Sequence, residues 1–414
     1  MKKLFAVILS LAMILSLAAC GGGASTDRSE APAEKPAEAP AEKPAEAPEA
    51  SGDPIKIGVY MPMTGTNAGS GLTEIQGIEM AIAEANEAGG IDGRQLELIT
   101  YDDAGTTEGA TKAATRLIEE DGVKIILGSF QSPNVLAVSE LTEKAQVLHL
   151  GTGTGATWTN IGLNYTYRAT ANGNLPVGTM VEELVDLGKK SIALISVESD
   201  YGQSGRSAVV AGAEAAGIEV KADLTYQSAD TDFTGIIVKA MSAGADTIVL
   251  YGLGNEMAMI IKQLRQNGYE DLIFTIEGGA NSEIFTVAGA AADGLVFAAA
   301  YVIPATPEEA ATPLMKEKLT AFYEQYGEMP YSDTFYRGYD QAALAIEALK
   351  NAENVDDGAS LMEACKALSG VELLGGSFDF TDGTGDGLTA TNKYMIMDGM
   401  IKAYDKAALE AWEG

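Results

Sequence analysis

Residues 128–133 (Gly-Ser-Phe-Gln-Ser-Pro) have the types and spacing of an anion site. They follow an apolar stretch and open a helical pattern, with Ser132 suited to the N-cap and Pro133 to the first helical position. Unpaired N–H groups at a helix N-terminus, together with the helix dipole, favour a negative charge there. The segment therefore indicates an anion site, and the alternative is that Ser132 only caps its helix.

A second glycine-rich segment lies at residues 151–156 (Gly-Thr-Gly-Thr-Gly-Ala), after the next apolar stretch. Its spacing matches the G-x-G-x-x-[G/A] pattern of dinucleotide sites. The context argues against that reading, because no amphipathic helix begins at Ala156 and the first acidic residue that follows is Glu182. The glycines instead predict that backbone groups approach a small ligand closely.

Two further candidates follow strands in the second half of the chain. Tyr201 offers a ring face or a hydroxyl group to a ligand. Glu277 precedes two glycines, an arrangement that presents a carboxylate into a crevice. The alternatives are an aromatic residue of a surface loop for Tyr201 and a solvated turn residue for Glu277.

Catalytic and metal-binding patterns are not found. The sequence has no G-x-S-x-G elbow and no phosphate-binding loop ending in Gly-Lys-Ser/Thr. The single histidine, His149, lies inside an apolar stretch and is expected to pack in the core. Asp102 and Asp103 fit a cap or turn, and the Asp/Gly-rich segment 379–387 does not match a calcium loop and fits a turn. We therefore expect no enzyme activity, no metal and no cofactor.

These loops require strands to position them, and the sequence alternates strand and helix patterns. This rhythm predicts an α/β fold with two doubly wound, parallel-sheet lobes. Ligands bind at the carboxyl ends of strands in such sheets. The predicted strands are 55–60, 96–100, 124–127, 147–150, 192–196, 220–224, 247–250, 272–275 and 295–301. The predicted helices are 74–87, 108–120, 133–144, 233–243, 257–266, 313–326 and 334–350, with two more starting at Leu175 and Ser204.

The first twenty residues predict a secretory signal peptide. Lys2 and Lys3 precede an apolar stretch that is short for a membrane span, and small residues then lead to Cys20. The run 17–20 (Leu-Ala-Ala-Cys) resembles the bacterial lipobox, in which the cysteine is lipidated. The alternatives are an ordinary signal peptide cleaved nearby and an N-terminal membrane anchor.

Residues 21–54 predict a disordered tether. The sequence of 31–38 repeats identically at 39–46, with frequent proline and no large apolar residue. The whole chain has 27 basic and 59 acidic residues, a formal net charge of -32. Such a polyanion repels nucleic acid and anionic membrane surfaces, so we expect membrane association only through a lipid anchor.

A family resemblance rests on residues 88–98 (Ala-Gly-Gly-Ile-Asp-Gly-Arg-Gln-Leu-Glu-Leu) and 101–104 (Tyr-Asp-Asp-Ala). Residues 62–65, 201–202 and 277–278 follow in the expected order. From Ile55 to about residue 405 the chain resembles solute-binding proteins of ABC importers, of the leucine/isoleucine/valine-binding type. The resemblance implies a monomer with the type I periplasmic-binding-protein fold, whose three crossovers we place near 170–175, 298–303 and 374–380. The expected lobes are 55–172 plus 302–376, and 173–301 plus 377–414.

The resemblance also implies roles for the candidate residues. Ser132 supplies a hydroxyl to the α-carboxylate of an amino acid, and residues Gly153, Thr154 and Gly155 supply backbone groups and a hydroxyl. Glu277 takes the α-ammonium. Tyr201 covers the ligand from the second lobe.

The sequence departs from the family pattern at three places. Gly155 stands where the family has threonine, so the hydroxyl must come from Thr154 or be missing. Ser70 lies near a position where the family has an aromatic residue that lines the side-chain pocket. Residues 251–255 also differ from the usual aromatic-bearing loop. These departures leave the α-amino acid assignment better supported than specificity for leucine.

The expected function is the extracytoplasmic, lipid-anchored component of an ABC importer that captures an amino acid by lobe closure and delivers it to a permease. Two alternatives remain open. The same fold can bind an amide, urea or an aromatic acid, or it can serve as a lipid-anchored sensor that passes closure to a signalling partner.

Overall fold

The computed structural model describes residues 52–65, 67–155, 158–159, 161–227, 230–252, 254–280 and 283–413. The predicted signal peptide, Cys20 and the predicted tether before residue 52 lie outside the described residues. Among the described helices, none combines the length and the apolar character required to cross a bilayer.

The first sheet contains five parallel strands in the order β2-β1-β3-β4-β5. Its strands are β1 (Ile55–Met61), β2 (Leu96–Asp102), β3 (Ile125–Leu127), β4 (Leu148–Gly151) and β5 (Thr166–Arg168). The helices that alternate with them are α1 (Ala68–Glu87), α2 (Thr107–Glu119) and α3 (Ser132–Ala145). Helix α1 begins six residues before the predicted start, in a glycine-containing segment. A Cβ atom at Gly71 would lie 2.0 Å from the carbonyl oxygen of Pro62, so this close approach requires glycine.

The second sheet has seven strands in the order β14-β13-β10-β9-β8-β6-β7. The parallel part contains β6 (Ser191–Val197), β7 (Glu219–Tyr226), β8 (Thr247–Tyr251), β9 (Ile273–Thr275) and β10 (Leu295–Ala299). Helices α4 (Leu175–Asp186), α5 (Asp200–Ala215), α6 (Thr234–Ser242) and α7 (Gly254–Gln266) belong to this series. Short helical turns at Glu277–Ala280, Ile284–Ala288 and Gly289–Ala292 precede β10. The order β7-β6-β8-β9-β10 repeats the order of the first sheet.

After β10 the chain returns to the first half and then completes the second. The return adds α8 (Pro313–Tyr326), α9 (Thr334–Asn351), α10 (Gly358–Lys366), β11 (Val371–Glu372) and β12 (Ser377–Phe378). The last elements are β13 (Asn392–Met397), β14 (Met400–Ala403) and α11 (Lys406–Glu413), and both strands pair antiparallel. The predicted α/β fold with two halves built on parallel strands is therefore confirmed, and β13 and β14 add an antiparallel edge to the second sheet. Strands β5 and β11 to β14 and helix α11 were not predicted.

Helices α1 and α9 pack closely, backbone against backbone, because each contributes a glycine at the contact. A Cβ atom at Gly77 would lie 2.0 Å from the carbonyl oxygen of Phe335. A Cβ atom at Gly338 would lie 2.0 Å from the carbonyl oxygen of Glu74. This contact fixes the first turns of α9 against α1.

The buried carboxylate of Asp340, in α9, holds two of the segments that connect the sheets. It accepts hydrogen bonds from the Tyr301 hydroxyl at 3.0 Å and from the N–H groups of Leu374 and Gly375 at 2.9 and 2.8 Å. Burial raises the pKa of Asp340 to about 7, although the three hydrogen bonds lower it. Asn392 adds a further link, because its amide donates to the carbonyl oxygens of Ala300 and Leu374.

Residues 385–387 lie against the first sheet and not the second. Arg168 ends β5, and its backbone N–H donates to the Gly385 carbonyl oxygen at 2.7 Å. The Arg168 carbonyl oxygen accepts from the Gly387 N–H at 3.2 Å. The sequence analysis assigned residues 377–387 to the second lobe, which differs from this packing. The contacts join residues more than 200 positions apart, so no local pattern in the sequence indicates them. The lobe bounds themselves stay a prediction.

Glu183, in α4, is a buried acid whose two carboxylate oxygens have no hydrogen-bond partner within the described structure. Burial raises the pKa of Glu183 to about 8, Lys393 lowers it and Glu182 raises it. Between the ordinary pKa and this raised value, the unfolded chain loses the proton while the folded chain keeps it. Stability contributed by this site is therefore lost as the pH rises through that window.

We expect Glu183→Gln to gain stability relative to the wild type as the pH rises from 5 to 8. The expected relative gain is at least about 1 kcal/mol, since one pKa unit corresponds to about 1.4 kcal/mol. Denaturant unfolding at several pH values measures it. Glu119→Gln, at an exposed acid in α2 of the first half, is the control and should follow the wild-type pH dependence. Parallel curves for Glu183→Gln and the wild type would contradict the prediction.

Candidate functional site

The strand orders define where ligand loops should meet. In each sheet the order reverses between two neighbouring strands, β1 and β3 in the first and β6 and β8 in the second. The carboxyl ends of such strands form the crevice in which open α/β sheets bind ligands. Ser132 follows β3, Tyr201 follows β6 and Glu277 follows β9. The topology thus brings each candidate to the edge of its sheet that the carboxyl ends of the parallel strands form, which we call the functional edge.

Ser132 is the first residue of α3 and does not cap it. The N-cap is Gln131, without a side-chain cap, so the predicted capping role of Ser132 is wrong. Its hydroxyl oxygen instead accepts a hydrogen bond from the N–H of Gly155 at 2.9 Å. A hydroxyl group that accepts in this way retains its hydrogen for donation to a ligand oxygen.

The loop 153–155 lies directly against Ser132, which explains its two glycines. A Cβ atom at Gly153 would lie 2.6 Å from the Ser132 hydroxyl oxygen, and one at Gly155 would lie 2.9 Å from the same atom. Between them Thr154 is half-buried, and its carbonyl oxygen accepts from the Gly173 N–H at 2.9 Å. The two glycine-rich motifs of the sequence therefore form one surface.

Behind this surface, α1 contributes Ser70 and Glu74. The carbonyl oxygen of half-buried Ser70 accepts from the Thr334 hydroxyl at 2.7 Å, which ties it to the start of α9. The buried Glu74 carboxylate accepts a hydrogen bond from Thr152. Burial raises the pKa of Glu74 to about 8, while Thr152 and Arg337 lower it. Glu74 therefore holds its proton near neutral pH.

The second sheet presents a cluster of tyrosines at its carboxyl edge. The rings of Tyr201 and Tyr251 lie 4.9 Å apart between centroids, and Tyr201 is 39% exposed. Gly205 permits this arrangement, since a Cβ atom there would lie 1.7 Å from the Tyr251 ring. Desolvation raises the pKa of Tyr201, with smaller contributions from Tyr251 and Glu277. Tyr251 ends β8 at the same edge; the sequence analysis noted only that residues 251–255 depart from the family pattern and predicted no role for Tyr251.

Glu277 opens a short helical turn, and the glycines after it let the backbone pack closely. A Cβ atom at Gly278 would lie 2.7 Å from the Gly252 carbonyl oxygen, and one at Gly279 would lie 2.6 Å from the Phe297 ring. The Glu277 side chain is exposed to solvent at the cavity mouth, yet protein walls surround it. Desolvation raises the pKa of Glu277, the Arg337 charge lowers it and the Asp333 charge raises it.

Arg337 and Asp333 are the main residues that the sequence analysis missed. They form an ion pair at the start of α9, with the Arg337 Nε 2.9 Å from an Asp333 carboxylate oxygen. Arg337 acts electrostatically on both Glu74 and Glu277, which belong to different halves. The signal was available, because an arginine in the fourth position of a helix opposes the helix dipole.

A cavity of about 540 Å³ lies beside Glu277, Asp333 and Arg337. Ser132, Thr154 and Tyr201 do not line it. Its lining residues are Glu277, Ala280, Glu283, Tyr301, Val302, Ile303, Tyr331, Ser332, Asp333 and Arg337. The cavity contains groups from α9, from the segment after β10 and from the Glu277 turn. It is therefore a space between the two halves that polar and charged side chains line.

Residues predicted to be structural behave so. His149 is buried and contacts the Tyr60 hydroxyl at 3.0 Å and the Gly128 carbonyl oxygen at 2.9 Å, and burial lowers its pKa to about 4. Asp102 accepts a turn hydrogen bond from the Ala104 N–H at 2.8 Å, and it also accepts from the N–H of Met63, in the loop after β1, at 2.8 Å. Within the part of the chain that the structure describes, no three His, Cys, Asp or Glu side chains converge as a metal site requires.

Two repeated parallel sheets, with ligand-type loops at their carboxyl edges, define an α/β protein of the type I periplasmic-binding fold. The chain belongs to the periplasmic binding protein family, whose model matches residues 54–399. A curated relative is the Leu/Ile/Val-binding protein homolog 8 of Brucella abortus (strain 2308). It is 30% identical over 327 residues, which cover 76% of this chain and 80% of the relative.

Solved structures agree with the fold. A chain from Rhodospirillum rubrum has a TM-score of 0.78 at 20% identity, covering 85% of this chain and all of that one, which shows the fold alone. A leucine binding protein from Thermotoga maritima has a TM-score of 0.60 at 25% identity, covering 85% of this chain and 98% of that one.

The charges around Glu277 lead to a prediction of opposite sign for two substitutions. Arg337→Gln removes a positive charge and should raise the pKa of Glu277 further. Asp333→Asn removes a negative charge and should lower the pKa of Glu277. A carbon-detected NMR titration of the Glu277 carboxyl group measures both. Shifts of the same sign, or no shift in either variant, would contradict the arrangement.

Proposed function

We propose that this protein is the extracytoplasmic solute-binding component of an ABC importer, and that it captures an α-amino acid between its two halves. The observation that carries the proposal is the contrast between the two functional edges. One edge combines the start of α3 with the Ser132 hydroxyl, and the other presents the Glu277 carboxylate. The family membership and the names of the relatives support the same function.

The carboxylate of the amino acid would bind at the first edge. The Ser132 hydroxyl retains a hydrogen to donate, because its oxygen already accepts from Gly155. The Ser132 N–H and the helix dipole add to the attraction, whereas Pro133 has no N–H and those of Asn134 and Val135 donate to the Gln131 carbonyl oxygen. These local donors are needed, because the net charge of -32 opposes any anion.

The ammonium group would bind Glu277. Arg337 competes for this carboxylate, but Asp333 already pairs with Arg337 at 2.9 Å. Because the two charges of that pair largely cancel at a distance, Glu277 keeps its attraction for an ammonium group. A zwitterion in this orientation touches both halves and stabilises the closed state through contacts that the open state lacks.

The side-chain pocket is proposed to be aromatic. Tyr201 and Tyr251 lie beside Glu277, and Tyr331, which is 77% exposed, lines the same cavity as Glu277. Tyrosine rings bury a large apolar area and keep a polar hydroxyl group. This lining suits an apolar or aromatic amino acid side chain, and it does not select leucine alone.

Glu277→Gln should weaken amino-acid binding by at least about tenfold. The charge-assisted hydrogen bonds that it removes are each worth about 1.5–3 kcal/mol, and about 1.4 kcal/mol corresponds to tenfold. Isothermal titration calorimetry measures the effect. Glu309→Gln, at an exposed acid that does not line the Glu277 cavity, is the matched control. Unchanged affinity in Glu277→Gln would remove Glu277 from the site.

A thermal-shift screen of amino acids against amides, urea and aromatic acids separates the alternatives. A ligand that binds only the folded state stabilises it by RT ln(1 + [L]/Kd). Stabilisation by zwitterionic amino acids and not by their amides supports the proposal. Stabilisation by amides or urea alone would contradict it.

We further propose that the protein is a monomer, that residues 1–20 are a lipoprotein signal peptide, and that lipidated Cys20 anchors it to the outer face of the cell membrane. The lipobox-like run 17–20 supports this anchor, and the proline-rich repeat after it suits a spacer. The permease would then receive ligand from a binding protein held nearby.

Metabolic labelling with a clickable fatty acid tests the anchor. The full chain expressed in a bacterium should incorporate the label and sediment with membranes, and Cys20→Ala should do neither. Cys365→Ala is the control, because these are the only two cysteines in the sequence, and it should retain the label. Equal labelling of Cys20→Ala and the wild type would contradict lipidation at Cys20.

A further inference from the structure

Arg168 is a fully buried arginine whose guanidinium group lies beneath the loop 153–155. It donates to the carbonyl oxygen of Gly153 and, at 2.8 Å, to that of Gly155. The guanidinium carbon lies 4.0 Å from the centroid of the Trp158 ring, and the Trp158 Nε1 also donates to the Gly153 carbonyl oxygen at 3.1 Å. The underside of the loop is therefore held by two side chains.

Asp386 fixes the orientation of Arg168. One carboxylate oxygen accepts from the Arg168 Nε at 2.7 Å and from the Thr159 hydroxyl at 2.7 Å. The other accepts from the Asn172 amide at 2.9 Å. Asn172 lies in the segment between β5 and α4, and Asp386 lies in the segment between β12 and β13. The hydrogen bond between Asn172 and Asp386 therefore joins two segments that connect the halves.

The geometry has a direct consequence for Thr154. In a trans peptide unit the carbonyl group of one residue and the N–H of the next point in opposite directions. Because Arg168 and Trp158 hold the Gly153 carbonyl oxygen toward the buried side, the Thr154 N–H points away from that side. A buried ion pair is weak evidence for stability alone, because apolar residues can replace such pairs without loss.

We propose that Arg168 and Asp386 are positioning residues, which aim the loop 153–155 at the ligand and tie it to the segments that connect the two halves. This inference rests on the proposed function, in which that loop contacts an amino acid. The fork of donors in arginine is essential to it, because lysine keeps the charge but lacks the fixed geometry.

Arg168→Lys tests the inference, and Arg265→Lys is its matched control. Arg265 also donates to backbone carbonyl oxygens, those of Tyr269, Asp271, Ala291 and Asp293, and it lies over a tyrosine ring. It holds loops at the opposite end of β9 from Glu277. We expect faster amide hydrogen exchange in residues 152–155 and about tenfold weaker amino-acid binding in Arg168→Lys only.

The measurements separate the possible failures. Unchanged exchange and unchanged affinity in folded Arg168→Lys would overturn the inference, as would an equal loss of affinity in Arg265→Lys. If Arg168→Lys does not fold, Thr159→Val removes one hydrogen bond to Asp386 and should show the same changes to a smaller extent; no change there overturns the inference. If the wild type binds no amino acid, the proposed function fails, and the exchange at 152–155 alone decides whether Arg168 positions the loop.

Discussion

The hydrogen bonds that the buried Asp340 carboxylate accepts are the interaction on which the rest of the architecture depends. The chain must pass between the two sheets more than once, and each passage exposes backbone groups that need partners. Asp340 accepts from Tyr301 in the segment after β10 and from Leu374 and Gly375 in the segment before β12. Since Asp340 belongs to α9, the helix that packs backbone to backbone on α1, both segments are fixed to the first half of the molecule. The cavity beside Glu277 lies next to this junction, and Tyr301, which Asp340 holds, is one of its lining residues.

The two functional edges solve different electrostatic problems. A chain with 59 acidic and 27 basic residues attracts cations everywhere, so a cation site needs only shape and a carboxylate such as Glu277. An anion site on the same protein needs local donors, and the proposed function assigns that role to the start of α3 with Ser132. The ion pair of Arg337 and Asp333 acts on Glu277 from α9 with two charges of opposite sign.

The alternation of strands and helices and the loops at 128–133 and 151–156 could be predicted from the sequence. The spacing of apolar residues and the glycine content of a loop are local properties of the chain. Helix α8 was predicted with its observed bounds, and the loops that follow strands led to Ser132 and Glu277 as candidate site residues, whose roles stay predictions. Strand β5 has three residues and leaves no readable period. The contact between Arg168 and Asp386 spans 218 positions, and nothing local to the Asp/Gly-rich segment distinguishes Asp386 from Asp382, which only closes a turn with Thr384. The capping role expected for Ser132 was wrong for a related reason, because the partner of its hydroxyl is Gly155, in another loop.

The strand order of the first sheet recurs in the second, and this repetition gives the protein an internal pseudosymmetry. Each half carries its own reversal point, so two equivalent half-sites oppose one another across a shared boundary. A symmetric boundary would suit a symmetric molecule. Here the equivalent loops have diverged, with a hydroxyl and amides in one half and a carboxylate and phenol rings in the other. The divergence gives a repeated scaffold two chemically different carboxyl edges, so under the proposed function the two ends of a ligand meet different groups.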